Sequence, residues 1–414
     1  MPKKPSRKTK PHAAMPAARR PAAACEPDAG RAEQLLLKLL AIPGVSGQEA
    51  GVARYIAGAL RKAGAAAEWI RHDAAHRSGP HGGEVGNLIL RLPGTSRGPR
   101  RMLVAHMDTV PLCRGVRPVV RGGFIVPAEK TTALGADDRS GVAVVLVAAL
   151  EILRRRLPHP PLTLLWTVQE EIGLCGARFC RLAMLGKPQR AFNFDGSSPE
   201  EITIGATGGY RMGIRVRGVA AHAGVAPENG VSAVAIASLA VARLHRDGWH
   251  GRIEKDGRLG TSNVGVFRGG DATNVVAPEV EIRVEARSHD PAFRAEIVAA
   301  IETAFRDAAA SVCNVEGVCG AVDVKGRLDY ESFRLDESQP AVEAAKKAIR
   351  AVGGEPTLRI SNGGLDANWL TARGIPTVTL GSGMSSVHTV EERLDRNAFR
   401  QACRMALRLA TDCD

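Results

Sequence analysis

Three short apolar runs, each finishing on a carboxylate or an imidazole, constrain this chain more than any other feature. Arg101–Ala105 (RMLVA) leads into His106-Met107-Asp108, Leu162–Val168 (LTLLWTV) into Gln169-Glu170-Glu171, and Ala191–Phe194 (AFNF) into Asp195. Such brief apolar runs bounded by polar residues read as buried strands. Gly141–Arg155, apolar on most faces, reads as a buried helix between the first two, and Gly176–Leu185 as a short helix before the third. Strands alternating with helices give an α/β chain with a mixed, largely parallel sheet flanked by helices. In open sheets of this kind, ligands collect at the carboxyl ends of the strands, which is where these acids and this imidazole fall.

Upstream, Ala32–Leu40 reads as an amphipathic helix. Ile42-Pro-Gly-Val-Ser46-Gly-Gln-Glu49 then combines a turn with a capping box, Ser46 as N-cap and Glu49 three residues on, opening a helix to about Lys62. Asn87–Leu92 is a further strand. After Gly205 the rhythm changes. Tyr210–Arg217 alternates, Val231–Arg246 is helical, Thr261–Phe267 and Val280–Ala286 are strands, Ala292–Ala310 is a long helix, and Cys319–Tyr330 is strand-like. This β-α-β-β-α-β order is that of a ferredoxin-like α+β unit. Ser338–Ala351, Asp366–Thr371, Thr377–Leu380 and Asn397–Leu409 restore the α/β character. The expected organisation is a basic tail at 1–27, a first α/β part at 28–205, an inserted α+β unit at 206–331 and a second α/β part at 332–414.

With 414 residues the chain is too long for one ordinary core, which agrees with that division. Its net charge of +13 suggests a nucleic-acid or anionic partner until its distribution is examined. Residues 1–25 hold seven basic and no acidic side chains; the rest carries 49 basic against 43 acidic, a net of only +6. With 16 aromatic residues there is also little material for stacking bases. No nucleic-acid partner is expected. No run is long and apolar enough for a membrane helix, and the Pro-interrupted start lacks the apolar segment of a secretory signal. The eight cysteines show no C-x-x-C spacing, so reduced thiols in a cytoplasmic protein are the expectation.

Besides the strand ends, two loops offer ligand-type residues: Asp137, just before a helix, and His388, in a Gly/Ser-rich stretch. Each has a plain alternative. Gly135-Ala-Asp137-Asp138 suits a turn feeding a helix N-terminus, Glu170-Glu171 suits solvated loop charge, and His388 alone suits a surface loop. The recurrence of strand-end or loop placement at every site favours convergence. Carboxylates gathered in one crevice need a counter-charge, and oxygen and imidazole donors without thiolate fit zinc, with manganese or cobalt able to substitute.

These residues carry a resemblance. Ala105-His-Met-Asp-Thr-Val-Pro111, Leu134-Gly-Ala-Asp-Asp138 through Gly141, Thr167-Val-Gln-Glu-Glu-Ile-Gly173, Phe194-Asp-Gly196, Ala221-His-Ala-Gly224, Thr273-Asn-Val275 and Val387-His-Thr389 lie in one order along the chain. The set resembles the di-zinc metallopeptidase family of peptidase T, glutamate carboxypeptidases, dipeptidases and aminoacylases, most closely its peptidase T-like branch. The resemblance implies a zinc-binding α/β domain with an inserted ferredoxin-like lid that usually forms a homodimer. It implies that Asp137 bridges two metal ions, that His106 and Asp195 complete one site, and that Glu171 and His388 complete the other. Glu170 is then the general base for a metal-bridging hydroxide, and Asp108 orients the His106 imidazole. The Asp137–Asp138 peptide is expected to be cis.

The lid His222 is expected to help stabilise the oxyanion, often at a partner's site, while Asn274 and Arg287 are candidates for holding the substrate carboxylate. For Arg287 a surface ion pair is an equal alternative. Asp rather than Glu at 195 favours an aminopeptidase acting on di- or tripeptides over an amidohydrolase, deacylase or carboxypeptidase acting on N-acyl or N-carbamoyl amino acids. A non-catalytic binding protein would be expected to lack a ligand or Glu170, and none is missing. Two departures bear on substrate: Leu365 stands where relatives commonly have a hydroxyl, and Pro127-Ala-Glu-Lys130 replaces a small, polar lead-in.

Overall fold

The computed structural model describes residues 26–411. The tail expected at 1–27 therefore lies almost wholly outside the described residues. Four parallel strands form the centre of a nine-stranded mixed sheet, in the order Leu162–Thr167, Arg101–His106, Arg190–Gly196 and Thr377–Gly381. Leu88–Leu92 and Ile70–His72 extend it antiparallel on one side. On the other side Glu201–Ala206 runs antiparallel to Thr377–Gly381 and pairs with Phe333–Arg334 and Thr357–Ser361. The three opening strands are thus adjacent and parallel, so their carboxyl ends share one edge.

The segment Ala136–Arg155 packs on these strands and on the C-terminal helix Arg396–Ala410. Its residues from Val142 to Leu150 are all buried, which explains why its sequence shows no polar face. Burying each Val or Leu contributes roughly 1.5–3 kcal/mol, so this helix is a major part of the core.

A second hydrophobic cluster lies within residues Met212–Ala309. Its sheet has the order Gly251–Lys255, Arg258–Gly269, Glu279–Ser288, Gly208–Arg217, Ala321–Tyr330, all antiparallel. Met212, Ile214 and Val216 point inward while their neighbours face solvent, and helices Ala233–Arg246 and Pro291–Ser311 cover the apolar face. The expected β-α-β-β-α-β order is present with one strand added. Gly251–Lys255 (GRIEK) has a single inward apolar residue, Ile253, too little to show alternation.

A small third sheet joins Met384–Ser385, Arg393–Asp395, Phe124–Pro127 and Pro118–Arg121, and carries the loop that holds His388. Among the described residues, no helix is long and apolar enough to cross a membrane.

Two expectations are corrected. Cys313 and Cys319 form a disulfide. The chain reverses after the helix ending at Ser311 because Asn314 Oδ1 accepts from the amides of Glu316 and Val318, which sets the two cysteines opposite each other. The capping box also fails: the helix starts at Ala50, and Glu49 rather than Ser46 stands at the N-cap, with no side-chain cap hydrogen bond.

Candidate metal centre

Asp137 lies at the middle of the arrangement. Gly135, at φ 74°, turns the chain in the left-handed region, and Asp137 and Asp138 keep non-helical dihedrals, so both carboxylates project from the start of the buried helix. The peptide between them is cis. The buried Glu392 holds this turn, accepting from the amides of Gly135 at 2.8 Å and Asp137 at 3.1 Å. Gly141 is obligatory here. A Cβ at that position would overlap the Phe194 carbonyl oxygen and the Asp138 carboxylate.

The two oxygens of Asp137 face different imidazoles. Oδ1 is 3.1 Å from His106 Nε2, which is also 3.7 Å from Asp195 Oδ1. Oδ2 is 3.3 Å from His388 Nε2, which is 2.9 Å from Glu171 Oε1. Each oxygen therefore has one imidazole and one further carboxylate for company. All five expected ligands converge. Two overlapping groups have ligand atoms mutually within 4.8 Å, one of His106, Asp137 and Glu171, the other of His106, Asp138 and Asp195. Asp138 is the weaker ligand of the two aspartates, since its oxygens already accept from the amides of His106 and Gly141, both at 3.1 Å. It anchors the His106 strand end to the helix.

Asp108 is fully buried and acts through its neighbours. Its carboxylate lies 3.4 Å from His106 Nδ1, and its carbonyl oxygen lies 3.1 Å from the same nitrogen. With Nδ1 donating there, the Nε2 lone pair turns toward Asp137 and Asp195, as a metal ligand requires. Asp108 also accepts from Ser46 Oγ at 2.7 Å and from the amides of Glu170 at 3.0 Å and Glu171 at 3.2 Å. It thus fixes His106 and the loop bearing the two glutamates together.

Burial and mutual proximity of the acids dominate the electrostatics. Burial pushes Glu170 well above the usual carboxylate range; His106 opposes this, and Asp195, Asp366 and Glu171 add to it. Burial likewise raises Glu171 and Asp195. Burial disfavours the charged form of His106, but its contacts with Asp108, Asp137 and Asp195 win and raise it well above normal. His388 is raised to about 10 by Asp137 and Glu171. Acids and imidazoles crowded in this way form an oxygen and nitrogen donor set that fits divalent cations, whose charge would offset that of the carboxylates.

The substrate candidates lie elsewhere. His222 is exposed on the inserted unit, its Nδ1 accepting from the Gly224 amide. Asn274 is exposed beside it, its carbonyl accepting from Ala223. Arg287 pairs with Glu285 at 3.1 Å and reaches the Asn362 carbonyl at 3.5 Å. None of the three touches the carboxylate cluster.

Sequence reasoning gave no site role to Glu49, which it read as part of a cap, or to Asp138, Glu392 and Asp366. Asp366 is buried, accepts from Thr167 Oγ1, and is raised to about 7, mainly by burial.

A fold and site of this kind define a hydrolase of the metallopeptidase type. The profile of peptidase family M20/M25/M40 matches residues 102–412, and the chain belongs to that family. It is 36% identical to the uncharacterized protein YqjE of Bacillus subtilis over 75% of this chain and 80% of that one. Among solved structures it is similar to a tripeptidase from Staphylococcus aureus (TM-score 0.83, 28% identity, 94% of this chain and 99% of that one). It is also similar to aminopeptidase PepT from Bacillus cereus (TM-score 0.80, 32% identity, 93% and 98%). The chain is peptidase T-like, as its motifs suggested.

Proposed function

We propose that the chain is a two-metal aminopeptidase releasing the N-terminal residue of di- or tripeptides. The carrying observation is that each oxygen of Asp137 faces its own imidazole and carboxylate, His106 with Asp195 and His388 with Glu171. That pattern suits one carboxylate shared between two ions. Zinc, manganese or cobalt held there would polarise the scissile carbonyl and bring the pKa of water toward neutrality. Glu170 supplies the proton chemistry. Among the described residues no hydrogen bond occupies its carboxylate, and its raised pKa suits a group that accepts a proton from water and passes it to the leaving amine. Asp108 keeps His106 and Glu170 in mutual register. The substrate class is supported by Asp at position 195 and by the similarity to a tripeptidase and an aminopeptidase.

The inserted unit is proposed to form a homodimer. His222 is exposed and away from its own chain's cluster, which suits a residue serving a partner's site.

The test is a panel of dipeptides, tripeptides and N-acyl amino acids, assayed with added zinc, manganese or cobalt. Cleavage of peptides with a free amino terminus is expected; cleavage confined to N-acyl amino acids would replace this reading with a deacylase. The Glu170→Gln variant should keep about two metal ions per chain yet lose about 10²–10⁴-fold in kcat, the span of general-base catalysis. A fully active variant would remove Glu170 from its role.

A further inference from the structure

Glu49, in the turn that begins at Ser46, has no role in the chemistry above, although it is fully buried. Glu49 Oε1 accepts from the Gly47 amide at 2.8 Å and, 120 residues away in sequence, from the Gln169 amide at 3.1 Å. The next two amides, of Glu170 and Glu171, go to Asp108. Three successive N–H groups are thus held by two carboxylates from different parts of the chain. Gln169 needs such restraint. Its φ of 55° lies in the left-handed region, which a non-glycine residue occupies only when its surroundings impose it. Ser46 completes the clamp by donating to Asp108 from the same turn.

We propose that Glu49 is a positioning residue: by holding the Gln169 amide it sets where Glu170 and Glu171 point, and so governs both proton transfer and the metal position shared by Glu171 and His388. The proposal rests on the hydrolytic reading for its catalytic half and on the ligand cluster alone for its metal half. What matters is the acceptor at the Oε1 position. An amide oxygen can replace it, and a shorter side chain cannot reach it.

The test uses E49A, E49D and E49Q in the full chain. Cobalt(II) titration, followed by visible absorption, is run beside steady-state kinetics on the best peptide of the panel. E49A and E49D should lower kcat by about tenfold or more with KM within about twofold, and weaken one of the two cobalt ions by about tenfold, the usual effect of removing a ligand's support. E49Q should restore most of both. If E49A does not fold, E49D carries the same expectation with the charge retained.

Three results would overturn the proposal: unchanged kcat and cobalt affinity in E49D, a loss of thermal stability alone, or an E49Q as impaired as E49D. If the wild type binds cobalt but cleaves nothing in the panel, the hydrolytic reading fails. The cobalt titration then still decides the role of Glu49.

Discussion

At the scale of single residues, the centre is built by carboxylates in two different jobs. Asp137, Asp195 and Glu171 turn toward the space shared with His106 and His388. Asp108, Asp138, Glu49 and Glu392 instead accept backbone N–H groups and hold those residues in place. Backbone amides are strong donors, so a buried carboxylate that accepts two or three of them is a rigid tie. Gly141 shows how little slack is left. It lies where the helix, the Asp138 carboxylate and the strand before Asp195 meet, and there is no room for a methyl group. Gly141→Ala is expected to destabilise the fold by about 1–3 kcal/mol, the usual range for overpacking. It should also reduce bound metal, because Asp138 and the Asp195 strand must both move. Urea midpoints and metal content check the two effects together, and a variant with normal values for both would refute the tight fit.

At the scale of elements, the two chain crossings into the inserted unit are held by one side chain. Asn368 Nδ2 donates to the Thr207 carbonyl at 2.9 Å and to the Glu331 carbonyl at 2.7 Å, while its Oδ1 accepts from Leu365. Asn368→Ala strands the buried Thr207 carbonyl and the part-buried Glu331 carbonyl, at up to about 1–3 kcal/mol for each lost partner. A fall in the urea midpoint equivalent to at least about 2 kcal/mol is expected, and an unchanged midpoint would show that the crossings hold themselves. The elements readable in the sequence were those whose burial repeats along the chain. The central strands are buried on both faces and read as unbroken apolar runs, and the strand Gly208–Arg217 alternates because one face is wet. Glu201–Ala206 (EITIGA) and Thr357–Ser361 (TLRIS) alternate over only four or five residues, a stretch so brief that the pattern was passed over. The site divides in the same way. Strand ends and loops marked His106, Asp108, Asp137, Glu170, Glu171, Asp195 and His388 as candidates, and only the family resemblance divided them into ligands, base and orienting carboxylate. Glu49 and Glu392 were not legible, because the site-loop amides they hold, Gln169 for the one and Gly135 and Asp137 for the other, lie 120 and 255 or more residues away in sequence, and only the fold brings them near. The motif at Ser46–Glu49 was seen, but local spacing favoured a cap where the partners are distant.

At the scale of the whole molecule, the basic excess counts for less than the buried acids. Glu49, Glu392 and Asp366 are each raised to about 7, chiefly by burial, and His388 to about 10 by its carboxylate neighbours. In every case the folded protein binds protons more tightly than the unfolded chain. The carboxyl groups therefore contribute fully only below their ordinary values near 4, and that contribution is lost as pH rises through about 7. For His388 the contribution is complete below about 6.5 and lost as pH rises through about 10. Asp137 and Asp108 are shifted the other way, but their effect is confined to pH values below the ordinary carboxylate range. Chelated protein should therefore lose stability steadily from about pH 5 to pH 9. Metal cations reverse the trend: they compete with protons for the same ligands, bind more tightly as pH rises, and stabilise only the folded state. Urea midpoints at pH 6 and pH 9, with and without zinc, separate the two behaviours. The stabilisation by zinc should be larger at pH 9, and chelated protein at least as stable at pH 9 as at pH 6 would show that these acids are not held together by protons in the absence of metal.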